Sequence, residues 1–386
     1  MAPKITEVNR FLTTLFRYQE AGLVGVIIFL GLLLTVFGGS VKVPVFQTNA
    51  DGLRERVFFT NAQGEQEPVT VTRNTFLNAK NLTQLAKDTS FIAIMAVGAT
   101  IVIISGGIDL SVGAIYALAS VVGAMVLHQV NPDGMRGQTS TLLTVALGLT
   151  ACVGTATLCG LLNGGMIVAL KVHPFIITLG TMAIFRGIAF VLTNGQSIGG
   201  FPEVFRNSVQ WELGEGLSIV PLLLTVAVGV VGTVFLVQLA VGRRVYAIGG
   251  NELASRFSGI RVERVKLAVF VISGFVAGLS AVLSLGYYGA ATSGDGQGYE
   301  LNVIAAAVIG GASLAGGKGT ALGAILGALI IQMISSGIVI LRIDQNYSQI
   351  IIGAVVIIAV VLDRINAWRE SKRLSHHARG LSSEPT

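Results

Sequence analysis

The chain has 386 residues, of which 52% are hydrophobic and only 12% charged, against about one quarter charged in an average soluble domain. The formal net charge is +6, but the basic residues sit beside apolar runs and form no aromatic-rich basic face, which argues against a nucleic-acid partner. Composition therefore points to a polytopic membrane protein and away from a soluble enzyme or a nucleic-acid-binding domain.

Residues 1–20 carry Lys4, Arg10 and Arg17 against Glu7 and Glu20, with Phe11, Leu12, Leu15 and Phe16 at helical spacing. This pattern predicts an interfacial, cytoplasmic anchor. The first apolar run, Ala21 to Gly39, has about the 20 residues a bilayer core requires and reads as a retained span. Residues 40–74 change character. The β-rich runs Arg56–Thr60 and Pro68–Thr72 flank Asn61-Ala-Gln-Gly, which predicts a small extracytoplasmic hairpin. Thr75 to Lys87 then reads as a surface helix closing a segment 40–88, and Thr89 to Ser105 as the second span.

Gly106-Gly-Ile-Asp-Leu-Ser111 separates that span from the third, Val112 to Leu127. In lipid, non-helical backbone is tolerated only where protein or a water-filled path covers it, and an intramembrane carboxylate such as Asp109 is costly enough to be a functional candidate. The simpler alternative is that Asp109 and Ser111 cap the next helix. Asn131-Pro-Asp-Gly is a turn, and Thr141 to about Leu162 is a fourth span rich in small residues that let helices approach closely. Cys152 and Cys159 lie on one face of it, cannot reach each other, and read as small packing residues. Asn163-Gly-Gly is expected to interrupt that run ahead of a short cytoplasmic connection, Lys171-Val-His-Pro174, in which His173 reads as a helix-start residue and not a metal ligand.

The fifth span, Phe175 to Thr193, carries Arg186 in its interior, where an arginine needs a partner or water. An acidic outer loop, Phe201 to Gly216, precedes the sixth span, Leu217 to Ala240. Then comes the longest basic interruption, Gly242 to Lys266, with six Lys/Arg (Arg243, Arg244, Arg256, Arg261, Arg264, Lys266) against Glu252 and Glu263. It belongs on the cytoplasmic side by the positive-inside rule. Leu267 to Gly286 is the seventh span. Tyr287 to Glu300, glycine-rich with Asp295 and Glu300, is expected to face outward near the solute's mouth. Leu301–Leu314, Thr320–Leu341 and Tyr347–Leu362 are the eighth to tenth spans, followed by a basic tail, 363–386. Ten spans place both termini inside. The short outer loops then hold three basic residues (Arg136, Arg206, Arg342) and seven acids (Asp133, Glu203, Glu212, Glu215, Asp295, Glu300, Asp344), a distribution that the reverse topology would invert.

The expected fold is thus an all-α polytopic membrane protein of about ten transmembrane helices, a number set by span length, with a broken segment near 106–111 and a small extracytoplasmic β-hairpin insert. Catalytic signatures are missing. Gly311-Ala-Ser-Leu-Ala-Gly-Gly-Lys318 fails the phosphate-loop pattern, because Gly319 follows the lysine and an apolar run precedes the loop. No nucleophile elbow, zinc helix or cysteine cluster stands elsewhere. Asp109 and Arg186 are almost the whole intramembrane ionisable inventory, which is sparse for an ion-coupled carrier. On composition alone the basic loop suits two readings equally: docking of a short helix into a soluble subunit, or a stop-transfer loop fixed by anionic lipid.

Five blocks in one order resolve that choice: Gly106–Gly113, Pro174–Gly180 with Arg186-Gly187, Gly242–Asn251, Ser258–Ile260 and Val308–Gly317. In these the sequence resembles the membrane subunits of bacterial ABC importers for monosaccharides, the ribose/xylose/galactose-type permeases, over roughly Asn81 to Asp363. The resemblance implies a non-catalytic permease in the bacterial inner membrane, paired with a second copy or homologue. It further implies two cytoplasmic ATPases that bind the ATP, and an extracytoplasmic sugar-binding protein, with no cofactor on this chain. It implies a coupling helix over Ala247 to Gly259, in which Ala247, Gly250, Asn251, Glu252, Ala254, Ser255 and Gly259 meet the ATPase. Asp109, Ser111, Asn163 and Arg186 are expected to line the translocation path or support it. An ion-coupled sugar carrier or a channel is the competing class. The insert at about 40–74 is longer than the first outer loop usual in that family, and its outer placement suggests contact with the binding protein or cover over the mouth.

Overall fold

The computed structural model describes residues 18–48, 54–61, 64–130, 140–213 and 217–361. The expected N-terminal anchor before residue 18, the turn at 131–134 and the tail from 363 lie outside the described residues. Helix α1 (Tyr18–Phe37) is followed by six short strands, β1 (Ser40–Pro44), β2 (Phe46–Thr48), β3 (Arg54–Arg56), β4 (Phe58–Thr60), β5 (Gln66–Pro68) and β6 (Thr70–Asn74). Next come α2 (Ala79–Ile104), α3 (Val112–Val130), α4 (Thr141–Leu170) and α5 (Pro174–Thr193). After β7 (Ile198–Gly199), α6 (Glu203–Val209), β8 (Glu212–Leu213) and β9 (Leu217–Ser218), the chain returns through α7 (Ile219–Val237), α8 (Ala240–Gly250), α9 (Glu252–Phe257) and α10 (Val262–Tyr288). It ends with β10 (Ala290–Ala291), α11 (Tyr299–Ile309) and α12 (Ala321–Ile340), then the apolar helix α13 (Gln345–Val361).

Among the described residues, eight helices are long and apolar enough to cross a membrane, and α11 and α13 are shorter apolar helices. Together they match the ten expected segments one for one. The lipid-type surface is on α1, α5 and α7, which expose Phe29, Phe190, Val191 and Val231. The core is centred on α2, buried from Leu85 to Ile104 with few gaps and enclosed by α10, α12, α11 and α7. Helix α10 also packs along α4. There the small residues are obligatory, since a methyl at Gly160 would stand 2.4 Å from the Phe270 carbonyl oxygen and one at Gly274 would stand 2.3 Å from that of Ala156.

Two sequence expectations are corrected here. Asn163-Gly-Gly does not interrupt the fourth span: α4 continues to Leu170 and stops at Lys171, which takes the left-handed conformation at φ 54°. The glycines serve close packing, Gly164 lying against Leu267 of α10. The surface helix and the second span are one continuous helix, capped by Asn78, whose side-chain oxygen accepts the Asn81 N–H at 2.9 Å.

The insert contains the expected hairpin as one arm of three. Strands β4 and β5 pair antiparallel, β2 pairs with β3, and β1 with β6 forms the stem, Ser40 opposite Asn74 and Pro44 opposite Thr70. Three valines close the junction in a ring: Val57 N–H donates to Val45 C=O (3.0 Å), Val45 N–H to Val69 C=O (2.8 Å) and Val69 N–H to Val57 C=O (2.8 Å). Asn74 ties the stem to α1 by donating to the Thr35 carbonyl at 2.8 Å.

Candidate functional site

The break after α2 is built around a buried carboxylate. Gly106 turns the chain at φ +81°, a conformation open to glycine without a Cβ penalty. Asp109 is 2% exposed. Its Oδ1 accepts from the Ser111 N–H at 3.0 Å and the Ser111 hydroxyl at 2.6 Å, and its Oδ2 accepts from the Ser273 hydroxyl of α10 at 2.9 Å. Asn163 of α4 donates to Ser111 Oγ at 2.7 Å. Thr178 of α5 donates to the Ile108 carbonyl at 3.2 Å. Asp109, Ser111 and Asn163 are therefore brought together, with Ser273 and Thr178 as members that spacing along the sequence did not reveal. A net hydrogen bond contributes about 0.5–1.5 kcal/mol, so this cluster ties the non-helical break between α2 and α3 to α4, α5 and α10. The amide oxygen of Asn163 is buried and has no protein partner in the structure.

Arg186 belongs to a different cluster. Its guanidinium donates to the carbonyls of Ser293 (2.9 Å), Asp295 (2.5 Å) and Gly296 (3.3 Å), the turn between β10 and α11. The Asp295 carboxylate in turn accepts from Thr292 N–H at 2.9 Å and Thr292 Oγ1 at 2.7 Å. The arginine is thus occupied as a clamp on the glycine-rich turn, its fork of donors meeting three backbone carbonyls.

The basic loop is two helices, α8 and α9, joined at Asn251 in extended conformation (φ −159°, ψ 101°). Asn251 Oδ1 caps α9 by accepting from Ala254 N–H at 2.9 Å, and Gly259 at φ +79° ends the motif. Ala247, Gly250, Asn251, Ala254 and Gly259 are exposed and Glu252 half-buried, but Ser255 is buried. Ser255 instead uses its carbonyl to accept from Ile260 N–H at 3.0 Å. The prominent side chains are Leu253, 63% exposed, and Phe257, 82% exposed. They stand four residues apart and so share a helix face, a spacing visible in the sequence between the Asn cap and the Gly stop.

Glu252 is engaged within the chain. It pairs with Lys266 at 2.7 Å and Arg256 at 3.0 Å, and Arg256 also bonds Glu263. Partial burial opposes ionisation of Glu252, yet the hydrogen bonds from Lys266 and Arg256 outweigh it and hold the carboxyl below its usual range. The four side chains line a cavity of about 520 Å³ together with Lys171 and His173. His173 itself starts α5, its Nδ1 accepting from Phe175 N–H at 3.3 Å.

The last turn of α8 meets two other elements backbone to backbone. A methyl at Gly249 would lie 1.7 Å from the Ile104 carbonyl oxygen, at the end of α2, and 2.5 Å from the Gly317 nitrogen. Gly317 N–H donates to that same Ile104 carbonyl at 2.9 Å, and the Tyr246 hydroxyl donates to Gly319 C=O at 2.7 Å. The run Gly316–Gly319 is therefore a crossing point, which accounts for its glycines without any phosphate. Through Ile104 this joint leads directly into the break that carries Asp109. Among the described residues no group of three or more His, Cys, Asp or Glu could hold a metal.

The profile of the family described as branched-chain amino acid transport system, permease component, matches residues 81–360. The chain is similar to the ribose import permease of Escherichia coli strain K12, 37% identical over 75% of this chain and 87% of the relative. It is similar to the D-allose transport system permease of the same strain, 38% identical over 75% of this chain and 85% of the relative. It is also similar to a probable ABC transporter permease of Sinorhizobium fredii, 34% identical over 81% of this chain and 88% of the relative. No solved structure matches the chain.

Proposed function

This chain belongs to the family of transport-system permease components, and from that premise we propose that it carries a monosaccharide across the bacterial inner membrane as the permease subunit of an ATP-driven importer. The observation that carries the reading is the extent of the match: residues 81–360 run from the first turn of α2 to the end of α13, including the α8–α9 joint, and the relatives named for a substrate are named for ribose, allose and autoinducer 2. The subunit is non-catalytic. ATP is hydrolysed on two ATPase domains in the cytoplasm, an extracytoplasmic protein delivers the sugar, and a second permease copy or homologue completes the path.

In this reading the basic end faces the cytoplasm, with both termini on that side, and α9 is the part that enters the ATPase. Leu253 and Phe257 are its apolar anchors, since removing large exposed apolar side chains from water is a dominant favourable term in most protein association. Exposed Ala247, Gly250, Asn251, Ala254 and Gly259 let the partner approach, while Glu252 and Ser255 hold α9 in place. Movement of the docked ATPases pushes α9 and α8. Because Gly249 leaves no gap against Ile104 and Gly317, the displacement passes to the end of α2 and the loop before α12. The Asp109–Ser111–Asn163–Ser273 cluster then transmits it to α3, α4 and α10. Arg186 supports the turn at the outer end. Weak retention of the solute is sufficient here, because the delivering protein supplies specificity.

The test is reconstitution. Proteoliposomes holding the chain and its ATPase take up labelled sugar only with ATP and the binding protein. Uptake by the chain alone under a proton or sodium gradient contradicts the proposal.

A further inference from the structure

The cavity of about 520 Å³ at the base of α4, α5 and α10 falls within the ~300–1,000 Å³ range of small-ligand sites, and the coupling reading leaves it unused. Its α9 lining is Glu252 and Arg256, not Leu253 and Phe257, so it is separate from the anchors assigned to the ATPase. The ion pairs that line it are balanced among themselves: Glu252 is held by Lys266 and Arg256, and Glu263 by Arg256. Lys171 is left over. Its ammonium lines the cavity and makes no hydrogen bond or ion pair with any described residue. His173, also in the lining, uses Nδ1 as an acceptor from Phe175 N–H, so the proton of its neutral ring is on Nε2 and remains available as a donor. Arg256 spends only part of its five-donor fork on the two glutamates.

The backbone at Lys171 adds to this. It ends α4 at φ 54°, the left-handed position where glycine is the usual terminator and any Cβ is penalised, so the backbone alone would select glycine and the chain carries a cation there instead. The rest of the lining is apolar, with Ile167 and Val168 in the last turn of α4 and Val172 and Pro174 in the connection to α5. Next to it Leu170, Phe175 and Ile176 are exposed, at the ends of two helices of membrane-spanning length. The cavity therefore stands where a hydrocarbon-facing surface gives way to charge, at the basic end that the positive-inside rule assigns to the cytoplasm.

Charge selects the ligand. Lys171, Arg256 and Lys266 against Glu252 and Glu263 leave one net positive charge in the lining, which the single negative charge of a phosphodiester matches. A phosphomonoester carries more than one charge and a nucleotide polyphosphate more still, which would set surplus negative charge beside the two glutamates. A neutral solute leaves Lys171 without a counter-charge. We propose that the cavity binds the phosphodiester headgroup of an anionic lipid, with Lys171 supplying the unpaired charge, His173 Nε2 and the spare donors of Arg256 completing the cradle, and Leu170, Phe175 and Ile176 meeting the acyl chains. Basic pockets between spans on the cytoplasmic side suit such headgroups. The bound lipid ties the α4–α5 connection to α9 and the start of α10, whichever solute the chain carries.

The experiment uses the full chain in nanodiscs of phosphatidylcholine, with or without phosphatidylglycerol, and reads two quantities: the melting temperature in each bilayer, and the phosphatidylglycerol retained per chain by native mass spectrometry after release into mild detergent. The wild type is expected to retain phosphatidylglycerol in preference to phosphatidylcholine and to melt higher in its presence. Lys171→Gly removes the cation and suits the left-handed backbone, so it should melt no lower than the wild type in phosphatidylcholine. It should also retain about fivefold less phosphatidylglycerol and lose the melting shift, the scale of one charge-assisted hydrogen bond at a partly exposed site. Lys171→Arg keeps both, as does Arg264→Ala, which removes an exposed cation outside the cavity. Equal retention in the wild type and Lys171→Gly, an equal loss in Arg264→Ala, or a wild type that does not distinguish the two lipids overturns the site. Inorganic phosphate that reproduces the shift in phosphatidylcholine alone overturns the lipid in favour of a free anion. Loss of ATPase co-purification in Lys171→Gly with lipid retention unchanged assigns the cavity to the protein partner and overturns the proposal.

Discussion

Replacing Gly249 with alanine is the sharpest mechanical perturbation the structure offers. The added carbon would stand 1.7 Å from the Ile104 carbonyl oxygen and 2.5 Å from the Gly317 nitrogen, where nonbonded heavy atoms settle at roughly 3.5 Å. One of three backbones must therefore retreat by about 2 Å, and no side-chain rotation relieves the contact. Overpacking of this kind costs about 1–3 kcal/mol and sometimes more; with backbone on every side, the upper end is expected. The docking face is untouched, because Leu253 and Phe257 lie beyond Asn251. Reconstituted Gly249→Ala should thus keep most of its ATPase stimulation while sugar imported per ATP falls about tenfold, a loss of about 1.4 kcal/mol in coupling. Gly250→Ala adds the same carbon with no atom of the chain within 4 Å, so any effect falls on the approach of the partner, and sugar imported per ATP should stay at the wild-type value. Tyr246→Phe, which removes the hydrogen bond to Gly319, should lie between them, since one net hydrogen bond contributes about 1 kcal/mol. Wild-type import per ATP and an unchanged melting temperature in Gly249→Ala would refute the transmission route, as would an equal loss in Gly250→Ala.

Glu252→Arg sets a third cation beside Arg256 and Lys266 and removes two ion pairs. Insertion and span packing should survive, stimulation of the ATPase by the binding protein should be uncoupled from import, and unchanged sugar uptake would count against a role for this residue at the joint. Because the folded Glu252 carboxyl lies below its usual value of 4.5, its contribution to stability is complete above that value and is lost as pH falls through the lower folded one. An acid titration of melting temperature should therefore show a decline that Glu252→Gln lacks. The size of this decline is small, as partly exposed pairs are well screened. Leu253→Glu should abolish co-purification of the ATPase while leaving the chain folded in detergent, and retained co-purification would remove Leu253 from the contact. Ser273→Ala withdraws one donor from the buried Asp109 carboxylate and should destabilise the chain by about 1–3 kcal/mol, read as a fall in melting temperature.

Much of this architecture was legible because the bilayer imposes a length and an apolarity on each span, so ten segments could be read from hydropathy. The break at Gly106–Ser111 was legible for the same reason, since two glycines and a carboxylate stand out against lipid. Glycine elsewhere was ambiguous. In Gly106 it supplies a positive φ, whereas in Gly160 and Gly164 it makes room for α10, and only the facing Phe270 and Leu267 distinguish the two. The interruption expected at Asn163-Gly-Gly failed on that ambiguity. Partners distant in sequence were equally hidden: Ser273 lies 164 positions from Asp109, and the carbonyls held by Arg186 lie more than 100 positions away. On the coupling loop the resemblance pointed to small and charged residues, whereas the exposure of Leu253 and Phe257 is set by how α9 packs against the chain and is read only from the structure.

The central claim is that this chain moves sugar only when ATP is hydrolysed on a partner docked at α9, and the coupling ratio in proteoliposomes tests it most directly. Labelled ribose or allose is supplied with the binding protein outside, and ATP and the ATPase are placed on the α8–α9 side. The account predicts uptake that requires all three components, vanishes in Leu253→Glu, and does not respond to a proton or sodium gradient. Uptake by the chain without ATPase, driven by such a gradient and unaffected by Leu253→Glu, would contradict it.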